Sequence, residues 1–444
     1  MRRLILSTLW LPVAALGVGS LQGCPPPLVP SQSPSVTPSA APTFTPPIVD
    51  PTTGSYSHSG IEVSGGSLFV EVKADGAAVK GATLRLYGPT LASVVTDERG
   101  QATVGPLAIG AGYRLVVEAP GYATSQVGNI EIKKNEVSSQ RPNLNRGAGL
   151  KGRILSGGTP VAGAVVSDGL NSALTDASGN YALGGVNPGK LTITASKSRY
   201  QTVTRDLDVG AQGATEIDLA LANATPVAYF DGTVASGVAA SKLEGLKAAL
   251  RENGWTISAT PPAKEGVWVL VSPSVVPDGE AVSRITNFVA QGGKLVIFGE
   301  WGGYSGFHNP GANAIAHQVG LHFNPDLVRL PGANPASEWL SIRNFQPQSP
   351  AVADVNTIQL YSACSLFSLT PMTALAQTGS DAYRVQSNAA VGVKDVVMGG
   401  PFRAGKAIAL GDASGWLDED TDGANGANVK TADNLKLIAR LFDW

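Results

Sequence analysis

Hydrophobic and polar positions change rhythm near the middle of the chain. From Ser67 to about Ala220 the apolar residues come in short alternating runs, such as Leu68–Val72, Leu84–Tyr87, Leu115–Glu118 and Leu191–Thr194, each broken by Gly, Pro, Asn or Asp. A period of two with frequent turn residues predicts half-buried strands packed as sandwiches. From Thr225 the strands become apolar throughout: Val227–Phe230, Gly266–Val271, Lys294–Phe298 and Ala407–Leu410. Between them Leu243, Leu246, Lys247 and Leu250 give a helical period that stops at Asn253-Gly254. Ala281–Gln291 reads as a second helix and Ala432–Phe442 as a closing one. Strands without alternation, separated by helices, predict a parallel sheet covered on both faces.

The alternating region is a duplication. Val79-Lys80-Gly81-Ala82 answers Val161-Ala162-Gly163-Ala164, and Thr96-Asp97-Glu98-Arg99-Gly100 answers Thr175-Asp176-Ala177-Ser178-Gly179. Each Thr-Asp-x-x-Gly is predicted to be a hairpin turn, its acid satisfying local amides and its glycine taking positive φ. Together these features resemble the carboxypeptidase regulatory-like domain, a transthyretin-like β-sandwich, over residues 66–145 and 149–221. The resemblance implies a non-catalytic spacer or binding module, sometimes grouped with carbohydrate-binding folds. No exposed aromatic platform for a sugar is evident, and Tyr181 and Tyr200 stand where core tyrosines are expected.

Ahead of the duplication, Arg2 and Arg3 precede an apolar run, Leu4 to Val18, too short for a comfortable membrane span of roughly 20 residues. It ends in Leu21-Gln22-Gly23-Cys24, which resembles the lipobox of bacterial lipoproteins. The resemblance implies cleavage before Cys24 and lipidation of its sulfur and new amino group. Pro25 rather than an aspartate follows, which points to the outer membrane or cell surface rather than the inner membrane. From Pro25 to Pro51 a Pro/Ser/Thr-rich segment carries no charge before Asp50 and reads as an extended stalk. The expected organisation is a signal peptide at 1–23, a linker at 24–64, β-sandwiches at 65–145 and 146–222, and an α/β domain at 223–444.

Charge narrows the partners. A formal net charge of −2 with 15% charged residues offers no field for nucleic acid. The membrane, through the lipid, and an envelope protein or a carbohydrate are the partners expected. Two cysteines, Cys24 and Cys364, leave no intrachain disulfide once the first is lipidated.

The α/β region resembles the flavodoxin-like, class I glutamine amidotransferase-like superfamily, in an uncharacterised branch related to the trehalose-utilisation type and to gliding-motility transporter auxiliary proteins. The residues that carry the likeness are Ile285–Phe298, Gly405–Ser414 and the closing Asp433-Asn434-Leu435 before Leu441-Phe442-Asp443-Trp444. The amidotransferase nucleophile sits in a Gly-x-Cys-x-Gly turn. Here that turn is Gly299-Glu300-Trp301-Gly302-Gly303, and Trp301 occupies the place of the cysteine, so the ancestral reaction is expected to be lost. Cys364 lies in an apolar run and reads as a buried small hydrophobe.

In such a sheet ligands bind beyond the carboxyl ends of the strands. Asp231, Glu300 and Asp412 are placed there, and three carboxylates in one crevice suit acid-base work or a cation; helix capping is the plain alternative. Trp301, Tyr304 and His308 are candidate ligand-binding residues on the loop that follows the crevice. Asn313 is expected to open the next helix. Asp418, Asp420 and Asp422 alternate before Gly423 like a calcium loop without its final glutamate, so calcium is the one cofactor the sequence admits. The leading expectation is a non-enzymatic envelope lipoprotein with a binding head. A hydrolase using Asp231, Glu300 and Asp412 and an auxiliary subunit of an export or motility complex are the alternatives.

Overall fold

The computed structural model describes residues 65–444 apart from 212, 302–308, 331–338, 385–388, 391 and 420–426, and the backbone of two short antiparallel strands, Ile48–Val49 and Tyr56–Ser57. The expected signal peptide, Cys24, Tyr304, His308, Asp420 and Asp422 lie outside the described residues.

Seven strands build the first sandwich: β1 (Gly66–Glu71), β2 (Thr83–Tyr87), β3 (Ala92–Val95), β4 (Gln101–Leu107), β5 (Gly110–Glu118), β6 (Ser125–Ile132) and β7 (Val137–Gln140). One sheet runs β6-β5-β2-β3 and the facing one β7-β1-β4. Alternation places Leu68, Val70, Leu84, Leu86, Tyr113 and Leu115 between the sheets. The second sandwich repeats the plan with β8 (Ala148–Ser156), β9 (Val165–Ser167), β10 (Ser172–Leu174), β11 (Asn180–Val186), β12 (Gly189–Ser196) and β13 (Val203–Val209), in sheets β10-β9-β12-β13 and β8-β11. The correspondence extends to direction. A late segment lies parallel to the first strand in each copy, β7 beside β1 and Ala214–Glu216 beside β8.

The turn motif explains the repeat. Thr96 Oγ1 donates to the Val79 carbonyl at 2.7 Å and accepts from Ala82 N at 2.9 Å; Thr175 does the same to Val161 and Ala164 at 2.6 and 2.9 Å. Asp97 Oδ1 accepts from the amides of Arg99 and Gln101, and Asp176 Oδ1 from those of Ser178 and Asn180, all at 2.8 Å. Gly100 and Gly179 take φ of 70° and 75°. A Cβ on either would lie 2.4 Å from the Val72 oxygen or 2.6 Å from the Ile154 oxygen, so both positions require glycine.

The remaining chain forms a mixed sheet with helices on both faces. Its elements are β14 (Val227–Phe230), α1 (Glu244–Glu252), β15 (Thr256–Ser258), β16 (Val267–Val271), α2 (Gly279–Ala290), β17 (Lys294–Phe298), α3 (Asn309–Ala316), β18 (Leu321–Phe323), β19 (Leu366–Ser368), β20 (Thr373–Gln377), β21 (Asp395–Phe402), β22 (Gly405–Leu410) and α4 (Asn434–Asp443). Strands β15-β14-β16-β17-β22 are parallel neighbours, as expected. The other half corrects the all-parallel expectation: β21 is antiparallel to β22, and β20, β19 and β18 continue antiparallel. A tight turn at Arg403-Ala404 joins β21 to β22, and so short a link permits only antiparallel pairing. Hydrophobicity could not reveal this, because β21 is buried on both faces like its parallel neighbours.

Along β16, Val267, Val269 and Val271 face one layer, with Leu246, Leu250, Leu437 and Leu441 from α1 and α4. Trp268 and Leu270 face the other, with Ile285, Phe288 and Ile315 from α2 and α3. Helix α3 begins at Asn309, which corrects the expected start at Asn313. Asn313 lies inside the helix and clamps Phe323, donating to its carbonyl at 2.9 Å and accepting its amide at 2.8 Å.

The sheet domain packs directly on both sandwiches. The β21–β22 turn is wedged against both sandwiches: Ser172 Oγ donates to the Arg403 carbonyl at 2.6 Å, Ser196 Oγ donates to the Ala404 carbonyl, and Arg403 Nη2 donates to Gln126 Oε1 at 3.0 Å. Tyr87, Leu91 and Val116 of the first sandwich pack on Leu369.

Candidate functional site

Strands β17 and β22 lie side by side in register, Lys294 opposite Lys406 and Phe298 opposite Leu410. Two residues further, the same register brings Glu300 beside Asp412. The strand pair therefore starts with two lysines and ends with two acids, all at even spacing and so on the face of α1 and α4. At roughly 3.3 Å per residue the two pairs stand about 20 Å apart.

The acid end is buried and internally bonded. Asp412 is 0% and Glu300 3% exposed. Asp412 Oδ1 accepts from Ser414 N at 2.8 Å, and its Oδ2 from Tyr361 N at 2.7 Å and Gly415 N at 3.0 Å. Glu300 Oε1 accepts from Trp301 N at 3.1 Å, while its Oε2 accepts from Ser414 Oγ at 2.7 Å and Ser414 N at 3.2 Å. Each of the four oxygens thus has an internal donor. Burial, with the Asp412 charge second, pushes the Glu300 carboxyl well above the ordinary carboxylate range. Burial raises Asp412 to about 7 against the opposing pull of its three amides. Of the two carboxyls, Glu300 is therefore the one that burial and the neighbouring charge press toward the neutral form.

Asp231 does not join them. It follows β14, two strands from β17, and its partners belong to the opposite layer: Trp268 Nε1 donates to Oδ2 at 2.8 Å. Oδ1 accepts from Thr233 N at 2.7 Å, closing a local turn. The expected convergence of three carboxylates is therefore corrected to a pair, because odd and even positions of a strand leave opposite faces of the sheet.

Cys364 is 0% exposed and packs in the α2–α3 layer. Burial pushes its thiol well above the ordinary range, with nearby Asp326 and Glu300 acting in the same direction. A thiol held protonated in this way is a poor nucleophile. Trp301 is half-buried directly after Glu300; Tyr304 and His308 fall outside the described residues. Asp418 Oδ2 accepts from Gly245 N at 2.7 Å at the start of α1. Among the described residues no group of three or more His, Cys, Asp or Glu is placed to hold a metal, with Asp420 and Asp422 lying outside them.

Two arrangements escaped the sequence reading. Lys294 Nζ donates to the carbonyls of Leu441 and Phe442 at 2.9 and 2.7 Å, at the negative end of α4, and Lys406 Nζ donates to Gly163 at 2.6 Å and to the Trp444 main-chain oxygen. Their equal distance upstream of Glu300 and Asp412 was the signal available. The second is a cleft of about 610 Å³ where the three modules meet. No sequence pattern announces it, since its walls come from parts of the chain as far apart as Thr83 and Arg403.

The architecture defines a multi-domain protein, mostly β-sheet, of two β-sandwiches and a sheet domain with four α-helices among the described residues. The family model of the carboxypeptidase regulatory-like domain matches residues 67–145 and again 149–222, so the duplicated segments are two repeats of that domain. Among solved structures, the mmIFT52 N-terminal domain is 17% identical, covering 49% of this chain and 96% of its own, at a TM-score of 0.37. The cytoplasmic protein STM1381 from Salmonella typhimurium LT2 is 12% identical, covering 58% and 95%, at 0.32. GBS52, the minor pilin of Streptococcus agalactiae, is 13% identical, covering 36% and 96%, at 0.19. No curated protein matches the chain.

Proposed function

We propose that this chain is a lipid-anchored envelope protein whose sandwiches and α/β domain act together as a non-catalytic scaffold that binds a ligand or protein partner. The observation that supports the non-catalytic reading is the state of the acid pair: all four oxygens of Glu300 and Asp412 accept internal hydrogen bonds, leaving no base aimed at a substrate. Two regulatory-like repeats fit the same role. The strand order of the parallel half, with the second strand at the edge and the first inside it, accords with a flavodoxin-like, amidotransferase-like ancestry in which Trp301 replaced the nucleophile.

Anchoring rests on Leu21-Gln22-Gly23-Cys24 followed by the proline-rich stalk. Among the described residues no helix is long and apolar enough to cross a membrane, and a lipid on Cys24 would supply the attachment. The test is mass spectrometry of the mature product from a bacterial membrane fraction. The reading expects an amino-terminal peptide that starts at Cys24 and carries acyl mass, and release of Cys24→Ala into the soluble fraction. An unmodified sulfur, or Met1 retained, overturns the anchoring. Turnover of an envelope or carbohydrate substrate that Glu300→Gln abolishes would favour the hydrolase reading. A calcium-dependent rise in melting temperature lost in Asp420→Asn would add the calcium site.

A further inference from the structure

We propose that the cleft between the three modules is a binding site for a small hydroxylated organic anion, held through one carboxylate or phosphate group by Arg114 and Arg403. The cleft measures about 610 Å³, within the range of small-molecule sites. It lies apart from the acid pair and does not depend on the reading of that pair.

Charge is the first argument. Three arginines line the cleft and one acid does: Arg85 forms an ion pair with Glu118, leaving Arg114 and Arg403 without a carboxylate among the described residues. Burial pushes Arg114 down to about 10, and Arg403 works in the same direction; Arg403 too is lowered by burial. Two guanidinium groups partly withdrawn from water, repelling one another and facing no anion, are costly unless something negative visits the space between them.

Convergence is the second argument. Arg114 Nη1 and Arg403 Nη2 both donate to one atom, Gln126 Oε1, at 3.4 and 3.0 Å. An amide oxygen already occupies the place where a carboxylate or phosphate oxygen would sit, and Gln126 is exposed and free to move aside. Planar guanidinium groups bind such oxygens in pairs. Arg114 is also fixed from behind: its guanidinium lies 4.2 Å over the Tyr87 ring, and its Nη2 donates to the Gln318 carbonyl at 3.1 Å. The donor is therefore preorganised by two modules at once.

The rest of the wall suits the body of such a molecule. Thr83 offers a neutral hydrogen-bonding group and Ser172, whose hydroxyl donates to the Arg403 carbonyl, can still accept, while Pro371 and Pro401 offer apolar surface. A ligand there would bridge both sandwiches and the sheet domain.

The experiment is calorimetric titration of the full chain in detergent with glucuronate, glucose 6-phosphate, glucose and inorganic phosphate at one ionic strength. Binding of either charged sugar with no measurable binding of glucose is expected; which of the two binds tells a carboxylate source from a phosphate source. Arg403→Gln should weaken that binding at least tenfold, and so should Arg114→Gln. If Arg114→Gln fails to fold, Arg403→Gln decides alone, provided that its melting temperature matches the parent's. No binding of either charged sugar, unchanged affinity in Arg403→Gln, or inorganic phosphate bound as tightly as the sugars overturns the proposal.

Discussion

Lys406 Nζ lies 2.6 Å from the carbonyl oxygen of Gly163, joining the parallel sheet to the second sandwich through a lysine that is 3% exposed. The same ammonium group sits 4.6 Å from the centre of the Trp444 ring and donates to the Trp444 main-chain oxygen. Burial, then the nearby Lys294, push its pKa well below the ordinary lysine value. An amine this deep persists because it closes the module interface.

Lys406→Ala should accordingly destabilise the whole molecule and not one module alone. Removing the donor leaves two buried oxygens unpaired, at a cost of about 2–4 kcal/mol. Chemical denaturation should show a lower midpoint, and limited proteolysis should open the junction around Gly163 first. An unchanged midpoint would mean that the interface does not depend on this contact.

Glu300→Gln and Asp412→Asn should behave differently. The raised Glu300 pKa means that its contribution is fully present below the unfolded value of about 4.5 and is lost as pH rises through the folded one. Glu300→Gln removes that loss, so its melting temperature relative to the parent should improve from pH 5 to pH 9. Asp412 accepts three amides and has no place for an NH₂ group, so Asp412→Asn should cost about 2–4 kcal/mol, and less as pH rises through the parent's folded value of about 7.

The docking of the first sandwich should weaken in acid. His317 Nδ1 is 3.1 Å from the Gly88 carbonyl, which can only accept, so that nitrogen carries hydrogen and His317 Nε2 accepts from His322 Nδ1 at 2.8 Å. Burial lowers His317 to about 4 and His322 to about 3. Folded values depressed below 6.5 keep this stability intact above about pH 6.5 and remove it as pH falls toward 4. The loss should be on the order of 2–3 kcal/mol, reduced from the full shift because both side chains remain partly open to solvent. Melting temperatures from pH 7 to 4.5 measure it, and His322→Asn should flatten the profile.

Thr96→Val and Thr175→Val should each cost about 1–3 kcal/mol, because each strands a buried amide and a carbonyl at the same point of the repeat. Equal costs in the two copies would show that the motif does the same work twice. A negligible cost would show that water replaces the hydroxyl.

Much of the fold was legible because its causes are local. Thr-Asp-x-x-Gly closes its own hairpin with its own side chains, and both copies were found from those residues. Asn253-Gly254 ended α1 as expected, since Gly254 takes a φ of 79° that few other residues adopt. The buried runs at Val267–Val271 and Lys294–Phe298 were strands. Their partners, direction and facing side chains were less legible. Asp231 and Glu300 look alike in sequence, each an acid just past an apolar strand, yet one faces Trp268 and the other Ser414.

Local pattern thus established many of the elements, the duplication, the change from alternating to fully buried strands and the position of acids at strand ends, because turn chemistry and hydrophobic period act over a few residues. Long-range packing established the antiparallel half of the sheet, the lysine and acid pairs, and the cleft with Arg114 and Arg403. Those features depend on which strands become neighbours and which faces meet, and that follows from burying all the apolar surfaces of the chain at once.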